Sequence, residues 1–152
     1  MNLLETIMTR VSDFGTPEPV REQLVKELIQ YPCKEVTGVL AKTAVVDISP
    51  RVRRTAVRAL KEINPEEALA IFIRNLNHQN PKIIVNVIHA LEDVGYINRN
   101  RAIQALSQLR NNLNYKVRVI ATRAVQRLAG VRQTGPRNKP RLEIVTPAPA
   151  FL

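Results

Sequence analysis

Residues 49–63 read SPRVRRTAVRALKEI, and this stretch decides the fold. Its apolar residues Val52, Ala56, Ala59, Leu60 and Ile63 stand at steps 0, 4, 7, 8 and 11. At about 100° per residue these steps fall on one narrow stripe, the pattern of an amphipathic helix. The pattern returns without gaps in NPKIIVNVIHALEDV (80–94) and NYKVRVIATRAVQRL (114–128). There the stripe is Ile83, Val87, Ala90, Leu91 and Val94, then Val117, Ala121, Ala124, Val125 and Leu128. A weaker copy begins at Pro17 and uses Val20, Leu24, Leu28 and Tyr31, with Glu27 interrupting it. The leading residues Val20, Val52, Ile83 and Val117 lie 32, 31 and 34 residues apart. A period of that size marks a stacked repeat array, and a polar intrusion in the first copy suits a terminal repeat facing solvent.

The start signals agree. Ser49, Asn80 and Asn114 offer side-chain oxygens as N-caps, and Pro50 and Pro81 take the first helical position, where a missing N–H costs nothing. Shorter apolar patterns lie between these helices. They run from Leu3 to Val11, Lys34 to Val46, Pro65 to Leu76 behind Asn64, and Arg99 to Leu113 behind Asn98. No stretch alternates with period two as a strand would. The expected fold is all-α: an α-solenoid of about four helix pairs, A then B, over residues 1–130. An extended tail, 131–152, follows.

The pattern Pro-x-Val-Arg-x-x-Ala-x-x-Ala-Leu-x-x-Ile of residues 50–63 resembles the second helix of a HEAT repeat, of the short bacterial kind related to phycobilin-lyase repeats. It recurs from Pro81 to Val94 and more loosely from Tyr115 to Leu128, so the resemblance covers roughly residues 3–130. The departures are Ile84, where Arg53 and Arg118 sit, and Tyr115 in place of proline. The resemblance implies B helices lining a concave surface. It implies little about function, because HEAT arrays serve many partners.

Composition excludes several classes. The chain has 152 residues, 45% hydrophobic and 24% charged, which suits a folded protein rather than a disordered one. Aromatic residues are 4% and Trp is absent, so Val, Ile, Leu and Ala must build the core. A single cysteine, Cys33, excludes an internal disulfide framework and a zinc site of several thiolates. A reducing compartment, the cytoplasm, is expected. Residues 1–10 lack the basic start and apolar run of a secretory signal, and no apolar run is long enough to span a membrane. The net charge of +10 is unevenly placed. Residues 1–93 carry twelve basic and twelve acidic residues; residues 94–152 carry eleven basic residues and one acid, Glu143. Such an excess at one end suits an acidic or polyanionic partner.

The tail reads VRQTGPRNKPRLEIVTPAPAFL, with four prolines and no helical period. It offers too little apolar surface to fold alone. Its first half is basic, and Leu142 to Val145 could add a strand to a partner's sheet edge.

Register comparison yields a surface. Six residues after each leading position stand Lys26, Arg58, His89 and Arg123; one residue before it stand Pro19, Arg51, Lys82 and Lys116. Both positions lie off the core stripe. Stacked B helices should set them in a basic ladder, unopposed at the C-terminal end, where Arg127 replaces the earlier Glu62 and Asp93. Arg53 and Arg118, beside the core edge, should bridge neighbouring loops or helices.

An inventory for catalysis is sparse. His78 and His89 lie on different elements with no His or Cys at ligand spacing, and no His-Glu pair like that of the iron-binding HEAT hydroxylases is visible. Cys33 has only Lys34 beside it to activate a thiolate. There is no Gly-rich phosphate loop, no pair of catalytic carboxylates and no Ser-His-Asp set. No metal and no cofactor are expected.

These features predict a non-enzymatic adaptor, scaffold or assembly factor for a protein partner with an acidic surface. The candidate contacts are Arg51, Arg54, Arg58, His89, Lys116, Arg123 and Arg127, with Arg137, Lys139 and Arg141 in the tail. Nucleic-acid binding through phosphate contacts uses the same residues. Aromatic platforms for unstacked bases are scarce. Chromophore handling of the bilin-lyase type is implied by the repeat style alone. Dimerisation through an end repeat is a further option, because solenoid ends can stack. The boundary has a direct test. A chain ending at Gly130 should unfold in urea with the stability of the full chain; a loss above about 1 kcal/mol would make the tail part of the fold.

Overall fold

The computed structural model describes residues 2–130. The tail, including Arg137, Lys139 and Arg141, lies outside the described residues. Eight α-helices follow one another: α1 (Leu3–Val11), α2 (Glu18–Leu28), α3 (Lys34–Val46), α4 (Pro50–Ile63), α5 (Pro65–Asn75), α6 (Pro81–Val94), α7 (Arg99–Ser107) and α8 (Tyr115–Leu128). Short 3-10 turns follow α6 at Gly95–Ile97 and α7 at Gln108–Asn111. No strand occurs among the described residues.

The helix starts are chemically specified. Ser49 Oγ accepts the Val52 N–H, Asn64 Oδ1 that of Glu67, Asn80 Oδ1 that of Lys82, Asn98 Oδ1 that of Arg101, and Asn114 Oδ1 that of Val117. Each such cap is worth about 1 kcal/mol. Asn2 and Glu5 form a reciprocal capping box on α1. The three later A–B loops share a further device. Two residues before the cap, a side chain turns back to accept the cap's own N–H: Asp47 for Ser49 at 2.8 Å, His78 for Asn80 at 3.0 Å and Asn112 for Asn114 at 2.9 Å.

Short loops make each pair an antiparallel hairpin. Helix α2 packs closely on α4, and α6 on α8, whereas successive A helices touch sparingly. The B layer is therefore the tighter, inner side of an all-α solenoid. One junction differs. Helices α4 and α6 scarcely meet, and α6 leans instead on α3, where Asn86 Nδ2 donates to the Val45 carbonyl at 2.8 Å.

The core follows the stripe. Val52, Ala56, Ala59 and Leu60 are buried, as are Val87, Ala90, Leu91 and Val94, and Val117, Ala121 and Ala124. Val20, Ile63, Val125 and Leu128 are only partly buried, and two further positions depart from the stripe. Helix α2 stops at Leu28, and Tyr31 is 39% exposed, because Pro32 disfavours helical backbone just before it. Ile83 is only half-buried while its neighbour Ile84 is buried, since an aliphatic chain sinks where the other copies turn an arginine out to a loop. A second apolar row completes the stacking face. Val25, Val57 and Ile88, five residues after each leading position, are buried, whereas Thr122 at that position in α8 is exposed.

The arginines beside the stripe divide. Arg53 Nη1 donates to the Asp47 carbonyl at 2.6 Å and Arg118 Nη1 to the Asn112 carbonyl at 2.7 Å, so both tie down their own A–B loop rather than bridging to a neighbour. Their counterpart Arg21 does bridge. Its Nε and Nη2 each lie 3.0 Å from the Asp47 carboxylate, and its Nη1 donates to the Thr16 carbonyl. Both side chains are buried. Asp47→Ala should therefore strand a buried cation and cost about 3–5 kcal/mol in urea unfolding. The double variant Arg21→Met, Asp47→Ala should lose clearly less than the sum of the singles. Additive losses would mean that the pair is not the joint between the first two hairpins.

Candidate functional site

On the B helices the positions one before, two after and six after the leading residue share one outward face with the ninth and tenth. The structure places Arg51, Arg54 and Arg58 of α4, His89 of α6, and Lys116, Arg123 and Arg127 of α8 in exposed positions on it. Two acids divide this set. Glu22 of α2 takes Arg51 Nε at 2.9 Å, lies 3.7 Å from Lys26 Nζ, and accepts the Thr55 hydroxyl at 3.3 Å. Glu92 of α6 takes Arg127 Nη1 at 2.8 Å, with His89 Nδ1 3.7 Å away.

The ladder is thus not unopposed at its C-terminal end. Arg127 meets Glu92, because position ten of one B helix lies against position nine of the one before. Comparing single positions across the copies, such as Glu62 and Asp93 with Arg127, misses this offset. Among the described residues, Arg54, Arg58, Lys116 and Arg123 have no acidic partner within ion-pair distance.

Where α4 and α6 part, a groove of about 420 Å³ opens. Ala44, Val57 and Ala90 contribute its apolar lining; Arg53 and Arg54 line it from α4, and Asn86, His89, Glu92 and Asp93 from α6. It brings Arg54 and His89 of the predicted set together and leaves Lys116 and Arg123 apart on α8. Glu92 Oε1 is buried with no hydrogen-bond partner among the described residues. Burial by itself would push this carboxyl up; His89 and Arg127 outweigh it and hold it below the usual carboxylate range.

The arrangement suits binding. An apolar floor between rims of opposite sign can seat a side chain of an extended partner and orient its charged groups. His78 lies outside the groove as a loop acceptor, and Cys33 begins α3 half-buried. Among the described residues no three metal-ligating side chains cluster, and no helix is long and apolar enough to cross a membrane.

The sequence pattern of HEAT repeats matches residues 10–92 and, overlapping, 39–129. The chain belongs to the HEAT-repeat family: it is a helical repeat scaffold, of a class that typically mediates protein interactions and is generally non-enzymatic. No curated protein matches it significantly.

The Glu92 pairing has a pH signature. A carboxyl held low stabilises the fold fully above its ordinary titration range, and the contribution fades as pH falls through its folded pKa. Arg127→Ala should weaken this acid-side loss, with about 1 kcal/mol or less at neutral pH for so open a pair. Unfolding curves of the variant and the parent at neutral and acidic pH would check it.

Proposed function

We propose that this chain is a non-enzymatic adaptor or assembly factor that holds a protein partner with an acidic surface on its B-helix face. One observation carries the reading. Arg54, Arg58, Lys116 and Arg123 are exposed and without acidic partners among the described residues, while Arg51 and Arg127 are paired with Glu22 and Glu92. Cations left over after internal pairing supply complementary charge and faster association with an acidic surface. The α4–α6 groove adds an apolar seat beside Arg54. Arg137, Lys139 and Arg141 of the tail serve as a second contact with the same partner. A cytoplasmic setting suits the lone Cys33. Stacking through α8 is disfavoured, since Thr122 stands where the earlier copies bury an aliphatic side chain.

Phosphate binding is the second reading. It draws support from α4, α6 and α8, whose first turns carry basic residues and no acid at the positive end of the helix dipole.

Affinity capture from native lysate, with and without nuclease, separates the two. The full chain should retain a stoichiometric protein after nuclease, released by salt. The triple variant Arg54→Glu, Arg58→Glu, Arg123→Glu should hold it about a hundredfold more weakly. Recovery of nucleic acid alone, with every protein lost after nuclease, would overturn the adaptor reading.

A further inference from the structure

Antiparallel hairpins sort charge across the width of the array, a separation the linear sequence hides. One edge gathers the C-terminal halves of the A helices, the A–B loops and the N-terminal halves of the B helices: residues 8–23, 41–56, 71–87 and 105–121. This edge holds eleven of the nineteen Lys and Arg of the described residues, but only four of their twelve acids. Two of those four are already engaged, Asp47 by Arg21 and Glu22 by Arg51. The opposite edge holds eight of each sign and is neutral. Arg10, Lys42, Lys82 and Arg110 stand exposed on the basic edge with no ion-pair partner among the described residues. Of these, only Lys82, one residue before Ile83, also belongs to the B-helix face discussed above.

The same edge bears apolar tips. Leu113 is 99% exposed and Ile48 67%. They occupy the same place in their A–B loops, immediately before the capping residue. Tyr115 at 73% and Phe14 at 50% stand on this edge as well. Single exposed aliphatic residues are ordinary. A register-matched pair at loop tips, set among unpaired cations, is a different pattern.

We propose that the A–B edge docks on an anionic lipid surface. Ile48, Leu113 and Tyr115 enter the headgroup layer while Arg10, Lys42, Lys82 and Arg110 meet the lipid phosphates. Membrane-surface binding combines exactly those two terms, apolar insertion and attraction to an anionic leaflet. The spacing of the tips favours lipid over other polyanions. Ile48 and Leu113 sit two repeats apart, roughly 20 Å at ordinary helix spacing, and form no contiguous patch. A fluid surface closes around each tip separately, whereas a folded protein would need a matching hollow for each. A nucleic-acid backbone would use the cations and leave both aliphatic tips in water.

The test uses the full chain with vesicles of phosphatidylcholine alone and with about one-third phosphatidylglycerol. The chain should sediment with the second kind only, and more weakly as salt rises. Ile48→Ser with Leu113→Ser should weaken binding at least tenfold, as should Lys42→Glu with Lys82→Glu, with unfolding curves unchanged. The chain has no Trp, so Leu113→Trp places a single reporter at the tip. Its emission should shift to the blue on the anionic vesicles and stay unshifted on duplex DNA. No sedimentation at low salt, an unshifted reporter on the vesicles, or equal binding by the double serine variant would each overturn the proposal. Loss of the adaptor's partner through Arg58→Glu with Arg123→Glu, both outside this edge, leaves the vesicle outcome untouched, so the two readings fail separately.

Discussion

The bidentate contact between Arg21 and Asp47 is the constraint from which the N-terminal half of the array is built. A solenoid has only nearest-neighbour interfaces, so each junction must be specified locally. Here one carboxylate takes two guanidinium bonds from the preceding hairpin and the Ser49 N–H of its own loop. The Asp47 carbonyl takes Arg53. These bonds fix Ser49 as the cap, the cap fixes where α4 begins, and that start sets the phase of Val52 and the stripe behind it. A buried pair earns its place only when its remaining donors and acceptors are satisfied. The Thr16 carbonyl and the Ser49 N–H do this.

The next junction is solved differently, and the shape follows. At the position of Arg21 and Arg53, α6 carries Ile84, which is buried. Arg53, the α4 counterpart of Arg21, is held by the Asp47 carbonyl of its own loop and does not cross to the next hairpin; α6 settles against α3, and Asn86 satisfies the Val45 carbonyl near the end of that helix. Helices α4 and α6 are thereby left apart, and the groove is the consequence. Two tightly stacked halves, α2 on α4 and α6 on α8, meet across it. A partner seated in the groove touches both halves at once.

Helices and caps were legible in the sequence because they depend on neighbours three or four residues away. Val52 to Ile63 declares its stripe, and Ser49, Asn64, Asn80, Asn98 and Asn114 cap as their positions predict. The interfaces were less legible. Arg21 looks identical in register to Arg53 and Arg118, yet it alone crosses to the next hairpin. The row of Val25, Val57 and Ile88 is off the first stripe and becomes meaningful only once hairpins stack. The partners Glu22 and Glu92 were hidden because neighbouring B helices meet at unlike positions: Arg51 one before its leading residue meets Glu22 two after, and Arg127 ten after meets Glu92 nine after.

That offset also changes how the net charge should be read. Along the chain the basic excess begins after residue 93; across the fold it belongs to one edge. Pairing then removes Arg51 and Arg127 from the balance while sparing Arg54, Arg58 and Arg123 on the B-helix face and Lys42 and Lys82 on the A–B edge. Screening limits each set to about a Debye length, roughly 8–10 Å, so charges on one surface contribute little at the far side of the other. The apolar neighbours of each set then separate their partners. A groove floor of Ala44, Val57 and Ala90 needs a side chain delivered into it by a shaped ligand. Isolated tips such as Ile48 and Leu113 need a surface that yields. One array of four hairpins thereby offers anionic partners two surfaces of different texture, which adjoin at Arg54, Lys82 and Lys116.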